Sequence, residues 1–339
     1  MRGRVAIVYN EPDFGRYGAV GEELAVFGVL EAVEAVYQAL IELGSEVIKL
    51  PLRPPLELAK EELRAINTDL VFNLFEGFSD DPQTEAMVPE ILSELGLAYT
   101  GCPPSALRMA LDKANMKVVL RSRQIPTPDF QVLDPGTLPT FRLDYPCIVK
   151  PRGEDASHGL TPESVVSDFP ALARQVGLVS RDYGGCALVE EYIDGREFNA
   201  TVLGDGEYTV LPPSEIVYSL PAGVPRILTY AAKWQPETPF FLGTRAVCPA
   251  DIGAGEVALI NQTAVAAFKL LGGRGYARVD MRFDRAGRLN VLEVNPNPDI
   301  SPGTGAARQS DAAGMTYAEF IDKITDMAIR GRPVSEVAR

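Results

Sequence analysis

Histidine and tryptophan are almost missing from this sequence, with His158 and Trp234 the only representatives. A single histidine and four scattered cysteines, Cys102, Cys147, Cys186 and Cys248, offer no CxxC pair and none of the usual zinc spacings. The cysteines therefore read as reduced core side chains. Basic residues are also scarce: 32 Lys and Arg face 46 Asp and Glu, a formal net charge of −14. A surface of that sign repels a phosphate backbone, so nucleic acid is not an expected partner. The first apolar run is too short for a signal peptide, and no later stretch is expected to reach the roughly 18 apolar residues of a membrane span. A cytoplasmic protein without a membrane partner is expected.

What is present suits a globular enzyme. Apolar residues make up 46% and charged residues 23% of 339, too apolar for disorder and long enough for two or three packed units. The first hundred residues alternate strand and helix signals. RVAIVY (4–9), SEVIKLPL and TDLVFNLF read as buried strands, and the periodic stretch 22–43 reads as a long helix closed by Gly44. This is a parallel βαβ layout, in which ligands gather beyond the carboxyl ends of the strands. Here those ends are the loop 10–21 and the segment 76–83.

A boundary is expected near Gly101. Beyond it come a Pro-started helix, the strand YPCIVKP, the loop RGEDASHGL, a helical region to about 179 and the strand ALVEEYI. The chain then becomes strand-rich through REFNATVL, GEYTVLPPSEIVY and TRAVC. An Ala-rich helix spans about 254–271, a hairpin of ARVDMRF and LNVLEVN turns at 284–288, and a last helix covers about 317–330.

On that hairpin, strand periodicity puts Asp280, Glu293 and Asn295 on one face. Two carboxylates and an amide suit hard magnesium ions that also bridge phosphate oxygens, against the alternative of ordinary surface acids. Lys150 ends an apolar strand before a glycine-containing loop, an arrangement that can bring charge and backbone N–H groups to phosphates. Lys113 opens a helix. Glu190 and Glu197 sit in LVEEYIDGREF, where a strand edge can read an adenine and a carboxylate can accept ribose hydroxyls, or where the segment is only a charged hinge. His158 is either a phosphate or lid contact or a structural loop residue.

Taken in order, VFNLFEG, DKANMKVVLRSRQIPTPDF, YPCIVKPRGEDASHGL, LVEEYIDGREFNATVLG, LTYAAKW and ARVDMRFDRAGRLNVLEVNPNP resemble the ATP-grasp superfamily, in particular its D-alanine:D-alanine ligase family, over nearly the whole chain. The resemblance implies an α/β (α+β) ATP-grasp fold. Its parts are an N-terminal parallel α/β domain (1–101), a central subdomain (102–190) and a C-terminal metal-binding subdomain (191–339), the last two enclosing ATP. It implies ATP and two Mg2+ ions, with Mn2+ as a substitute, as cofactors, small-molecule amino-acid, amine or peptide substrates, and a homodimer. Lys113 and Lys150 match lysines that hold the phosphates. Glu190, Glu191, Tyr192 and Ile193 match the adenine site, and Glu197 the ribose ligand. Lys233 matches the lysine of a mobile loop over the γ-phosphate. Arg278 matches the arginine that stabilises acyl-phosphate and tetrahedral intermediates, and Asp280, Glu293 and Asn295 match the metal signature.

Departures from that pattern fall at the substrate end. A Glu, Ser, Tyr network that places the first substrate in the family is not matched: its serine falls on Ala156, its tyrosine on Trp234, and its glutamate has no clear counterpart beyond Glu22 or Glu23. Glu76 replaces the histidine of an HG motif and Asp299 a glycine. Thr304 stands at a serine that binds the second carboxylate, with Arg308 a turn further on. The expected function is an ATP-dependent carboxylate–amine ligase with altered substrates. An authentic D-alanine:D-alanine ligase and a non-catalytic nucleotide-binding protein are the alternatives.

Overall fold

The structure, a computed structural model, describes residues 3–13 and 15–330. Residues 331–339 of the third expected domain therefore lie outside the described residues. Three sheets organise the chain. In the first, β1 (Arg4–Asn10) is central and pairs in parallel with β2 (Glu46–Leu52) and β3 (Leu70–Leu74). The consecutive Val5, Ala6, Ile7 and Val8 are buried because both faces of a parallel strand are covered. Helices α1 (Gly15–Val20), α2 (Gly28–Glu42), α3 (Leu56–Ala65) and α4 (Thr84–Glu94) surround this sheet.

The expected helix over 22–43 divides. Glu23–Phe27 is a 3-10 turn, and the α-helix begins at Gly28 and stops where Gly44 takes φ +80°. Contrary to the expectation of no membrane-length stretch, Glu23–Glu42 is long and apolar enough by composition to cross a membrane. It is a core helix: Val29, Val33, Val36 and Leu40, spaced by three or four, are buried with Ile7 and Phe72 of the sheet. The short α1 forms inside 10–21, where a loop was expected. Its GRYGAV sequence has two helix-weakening glycines, so contacts outside the helix must hold it.

After α5 (Pro104–Leu111) and α6 (Lys113–Ser122), the second sheet has antiparallel order β4-β7-β5-β6, from β4 (Phe130–Leu133), β5 (Cys147–Pro151), β6 (Val165–Val166) and β7 (Ala187–Glu191). Helix α7 (Phe169–Asp182) covers one face through Leu172, Val176 and Val179.

The third sheet contains β8 (Glu197–Asp205), β9 (Glu207–Val210), β10 (Ser214–Tyr218), β11 (Thr244–Val247), β12 (Gly275–Phe283) and β13 (Leu289–Asn295). Between β10 and β11 lie the short α8 (Tyr230–Trp234) and α9 (Pro239–Leu242), and α10 (Ala254–Leu270) packs on β8 and β12. α5 and α6 follow residue 101 in sequence, but their Ala106, Met116 and Leu120 pack with Phe198, Phe268 and Met281 of this third unit. After α11 (Gly305–Ala312), α12 (Tyr317–Arg330) buries Phe320, Ile321 and Ile324 in the first core, so the chain's last helix ties the third unit to the first.

Candidate active site

The second and third sheets face each other across a cavity of about 140 Å3. A larger cavity of about 590 Å3 opens beside it, lined by the segments after β1 and β3. Lys233, Arg278 and Asn295 lie on the walls of both.

In the smaller cavity, the antiparallel register places Asp280 opposite Glu293 and Arg278 opposite Asn295, which brings all four to one face. A bulge in β13 sets Val291 opposite Met281 and leaves Leu292 as the extra residue, so Leu292 and Glu293 both line the cavity. The Arg278 guanidinium forks onto Asp280 at 2.8 and 2.9 Å. Lys113 reaches Glu293 at 2.7 Å and Asp155 at 2.5 Å. Burial alone would raise the Glu293 carboxyl, but Lys113 outweighs it and holds the group at about 2.

Two facing carboxylates, one firmly ionised, and an amide give oxygen donors only, the set a hard divalent cation prefers. Among the described residues no group of three or more His, Cys, Asp or Glu is arranged to hold a metal, and the oxygen donors beside Asp280 and Glu293 include the Asn295 amide. The residues fit.

The remaining nucleotide-site expectations, Lys150, Glu190, Glu191, Tyr192, Ile193 and Glu197, line the same cavity. Two of the carboxylates are already engaged. Glu190, 1% exposed, lies 2.5 Å from both Lys117 and Lys150. Glu197 accepts from Tyr218 Oη at 2.6 Å and from Arg282. Lys117, Asp155 and Arg282 were missed in the sequence. Lys117 is one helical turn after Lys113, and Arg282 continues the alternation Arg278, Asp280, Arg282 along β12, so both periods were legible.

Glu76, Trp234 and Asp299 line the larger cavity. Thr304 and Arg308 are not on the walls of either cavity. The Thr304 hydroxyl donates to the carbonyls of Asp299 and Ser301, and Arg308 folds back onto the Gly303 carbonyl. Glu76 is open to the cavity while protein surrounds it; burial and the neighbouring Asp299 push its carboxyl up to about 7. Glu85, buried against Asn297, is pushed up to about 8 by burial and by Asp155.

The most consequential group that sequence reasoning left open is a latch between the first and second units. Glu22 accepts a hydrogen bond from Tyr183 Oη at 2.8 Å and from the Gly159 N–H at 3.0 Å, and lies 2.7 Å from His158 Nδ1. Tyr17 of α1 stacks on His158 with ring centroids 4.1 Å apart and donates to Glu154. His158 is buried in the loop 152–161 and also lines both cavities, and these contacts explain how α1 forms. Ala156 and Ser157 take φ +52° and +64°, a conformation that costs of order 1–3 kcal/mol per residue and needs such support.

On the other side, Trp234 Nε1 donates to the Ala156 carbonyl at 3.0 Å, and a Cβ on Gly28 would lie 3.0 Å from its ring. The Tyr230 N–H donates to Leu160 O, and the Ala25 N–H donates to Tyr230 Oη. α8, which carries Lys233, is clamped by both units.

Replacing Glu22 by Gln is expected to destabilise the protein by about 1–3 kcal/mol, because a buried network loses its charged acceptor. Thermal unfolding measures that loss. Trp234, the only tryptophan, should show red-shifted emission in the variant; unchanged emission and stability would mean that the latch does not hold α8.

The family described as D-ala D-ala ligase C-terminus matches residues 119–326. A protein of Sinorhizobium fredii, y4sG, is 36% identical over 82% of this chain and 78% of its own. The D-alanine–D-alanine ligase of Ralstonia nicotianae is 30% identical over 74% of this chain and 72% of its own. The crystal structure of D-alanine–D-alanine ligase from Bacillus anthracis superposes with a TM-score of 0.74 over 97% of this chain and 98% of that one; at 22% identity it speaks for the fold. The chain belongs to the D-alanine–D-alanine ligase family of ATP-grasp enzymes, ATP-dependent ligases that form C–N bonds.

Proposed function

We propose that this ligase activates a carboxylate as an acyl phosphate and joins it to an amine, with a substrate pair other than two D-alanines. The observation that carries this reading is the shared wall: Lys233, Arg278 and Asn295 face both the cleft between the second and third sheets and the larger cavity. A phosphoryl group at that junction meets a carboxylate arriving from the other side.

In this reading Lys113 and Lys150 hold phosphates, residues 190–193 and Glu197 surround the adenosine, and Asp280, Glu293 and Asn295 hold magnesium. Bound there, magnesium neutralises charge on the transferring phosphoryl group. The substrate carboxylate attacks the γ-phosphorus as the bond to ADP breaks. The amine then attacks the acyl carbon, phosphate leaves, and the amine nitrogen loses its proton as the amide forms. Arg278 is placed to meet the oxyanion, and its bond to Asp280 fixes the guanidinium beforehand. The clamp on α8 keeps Lys233 over the γ-phosphate and water away from the acyl phosphate.

The altered specificity rests on Ala156, Trp234, Glu76 and Asp299, together with the Glu22 latch, which spends on His158 and Tyr183 the carboxylate nearest to the family's missing network. The Ralstonia relative is named for D-alanine, so D-alanine belongs in the test. The experiment is phosphate release from magnesium-ATP over a panel of D- and L-amino acids, amines and small dipeptides, with mass spectrometry of each positive pair. A product equal to acid plus amine minus water is expected. D-alanyl-D-alanine as the sole product would restore the narrower activity, and phosphate release without ligation product would overturn the reading.

A further inference from the structure

We infer that His158 is a catalytic base of the ligation step: its Nε2 takes the proton that the amine loses as it attacks the acyl carbon, and Glu22 orients the ring for that transfer. This rests on the ligase reading above and names a further residue of the same site.

The geometry begins with the two ring nitrogens. Nδ1 lies 2.7 Å from Glu22, whose carboxylate also accepts from Tyr183 Oη and from the Gly159 N–H. A carboxylate that accepts from two other donors is an acceptor toward the ring as well. Nδ1 therefore carries a hydrogen, and in the neutral ring Nε2 keeps its lone pair. Among the described residues nothing hydrogen-bonds to Nε2. Tyr17 stacks on one face of the ring with centroids 4.1 Å apart, and the Tyr230 ring stands at 5.5 Å. His158 is 6% exposed and lines both cavities, so the edge that carries Nε2 is the one left to meet their contents. The backbone bends to deliver it. Ala156 and Ser157 take positive φ directly before it, and the His158 N–H closes a turn on the Asp155 carbonyl at 3.0 Å.

The neighbouring groups leave the role to the same nitrogen. Among the described residues the other titratable groups on the walls of both cavities are Glu154, Asp155, Lys233 and Arg278. Glu154 accepts from Tyr17 Oη, Asp155 is paired with Lys113, and in the ligase reading Lys233 and Arg278 serve the phosphoryl group and the oxyanion. The groups around His158 are thus Tyr17 of α1, Glu22, Tyr183 after α7, Tyr230 and Lys233 of α8, and Glu154 and Asp155 of its own loop; of these, Glu22 is the one hydrogen-bonded to the ring. As the amine nitrogen bonds to the acyl carbon, its proton passes to Nε2. The bond from that carbon to the phosphate oxygen then breaks, and its electron pair leaves on phosphate. Glu22 steadies the imidazolium until it releases the proton to water.

The test separates the two half-reactions, using the full chain with magnesium-ATP and an acid and amine that turn over in the panel. Hydroxylamine in place of the amine reports the acyl phosphate as a hydroxamate, because it attacks acyl phosphates without a base. Wild type that forms neither hydroxamate nor free phosphate with any acid would sink the ligase reading, and this proposal with it. With hydroxamate formed, His158→Gln is expected to keep that rate within about threefold and to lower kcat for the amide by about 10²–10⁴-fold. Glu22→Gln can present an amide N–H to Nδ1 and so move the ring hydrogen to Nε2, which should slow the amide step selectively as well. A loss shared equally by both reactions marks a merely structural role and overturns the proposal, as does an amide rate in His158→Gln within about threefold of wild type. The wild-type pH profiles decide even if His158→Gln does not fold. An acid-side fall in kcat for the amide that is missing from hydroxamate formation is expected, and a limb common to both overturns the proposal.

Discussion

Replacing Glu293 by Gln is expected to lower ligase turnover by about 10³-fold or more, the scale of several kcal/mol of lost charge stabilisation at the transferring phosphoryl group. The fold should survive. Lys113 keeps Asp155 at 2.5 Å, and an amide of the same shape remains opposite Asp280. What disappears is the carboxylate that is held ionised at about 2. Circular dichroism and thermal unfolding check the fold, phosphate release checks turnover, and the magnesium dependence of ATP-analogue affinity gives a readout independent of chemistry. Turnover within tenfold of wild type, with unchanged magnesium dependence, would remove Glu293 from the metal site.

Replacing Glu190 by Leu is expected to cost about 3–5 kcal/mol of stability, because it leaves the Lys117 and Lys150 ammoniums without their shared counter-charge. Lys117 is buried and, among the described residues, keeps only Thr127 Oγ1 and the Leu292 carbonyl as hydrogen-bond partners. The pH dependence has a definite sign. Burial alone would raise the Glu190 carboxyl, but Lys117 and then Lys150 outweigh it and hold it below its usual value. A carboxyl lowered in the folded state contributes stability above its unfolded pKa and loses it as pH falls through the folded value. The gap between wild type and variant should therefore be full at pH 7 and shrink in acid. Denaturant unfolding at pH 7 and at pH 3 measures it, and a gap that grows in acid would contradict the assignment.

Much of this was legible in the residues because it obeys short periods. Alternation along ARVDMRF and LNVLEVN puts Asp280, Glu293 and Asn295 on one face, and continuous apolar runs give the buried parallel strands β1 and β3. Other features have no local signal. The bulge at Leu292 follows from how β13 meets β12, not from composition. The break before Gly28 goes with the ring of Trp234, a residue far away in the chain. α1 has weak helix formers and forms against His158 of a different unit. α5 and α6 follow the first boundary in sequence, yet their apolar faces find the third sheet.

At the site, ion pairing explains the rest. The sequence put Glu190 and Glu197 at an adenine and ribose site or in a charged hinge, and gave no sign of the ion pairs with Lys117, Lys150 and Arg282 that the structure forms. Gapless counting put Thr304 at a substrate carboxylate; in the turn after Asp299 its hydroxyl also bonds the turn's own carbonyls, a contact with no local signal. The acidic character of Glu76 and Asp299 was visible, but whether they faced a ligand depended on the path of the chain after β3 and β13.

The most direct test of the central claim follows one oxygen atom. The carboxylate substrate that turns over in the panel is prepared with 18O in its carboxylate and reacted with magnesium-ATP and its amine partner, and the released phosphate is analysed by mass spectrometry. An acyl phosphate requires one carboxylate oxygen to leave with phosphorus, so phosphate carrying one 18O per amide formed is the predicted result; unlabelled phosphate accompanying amide product would contradict the account.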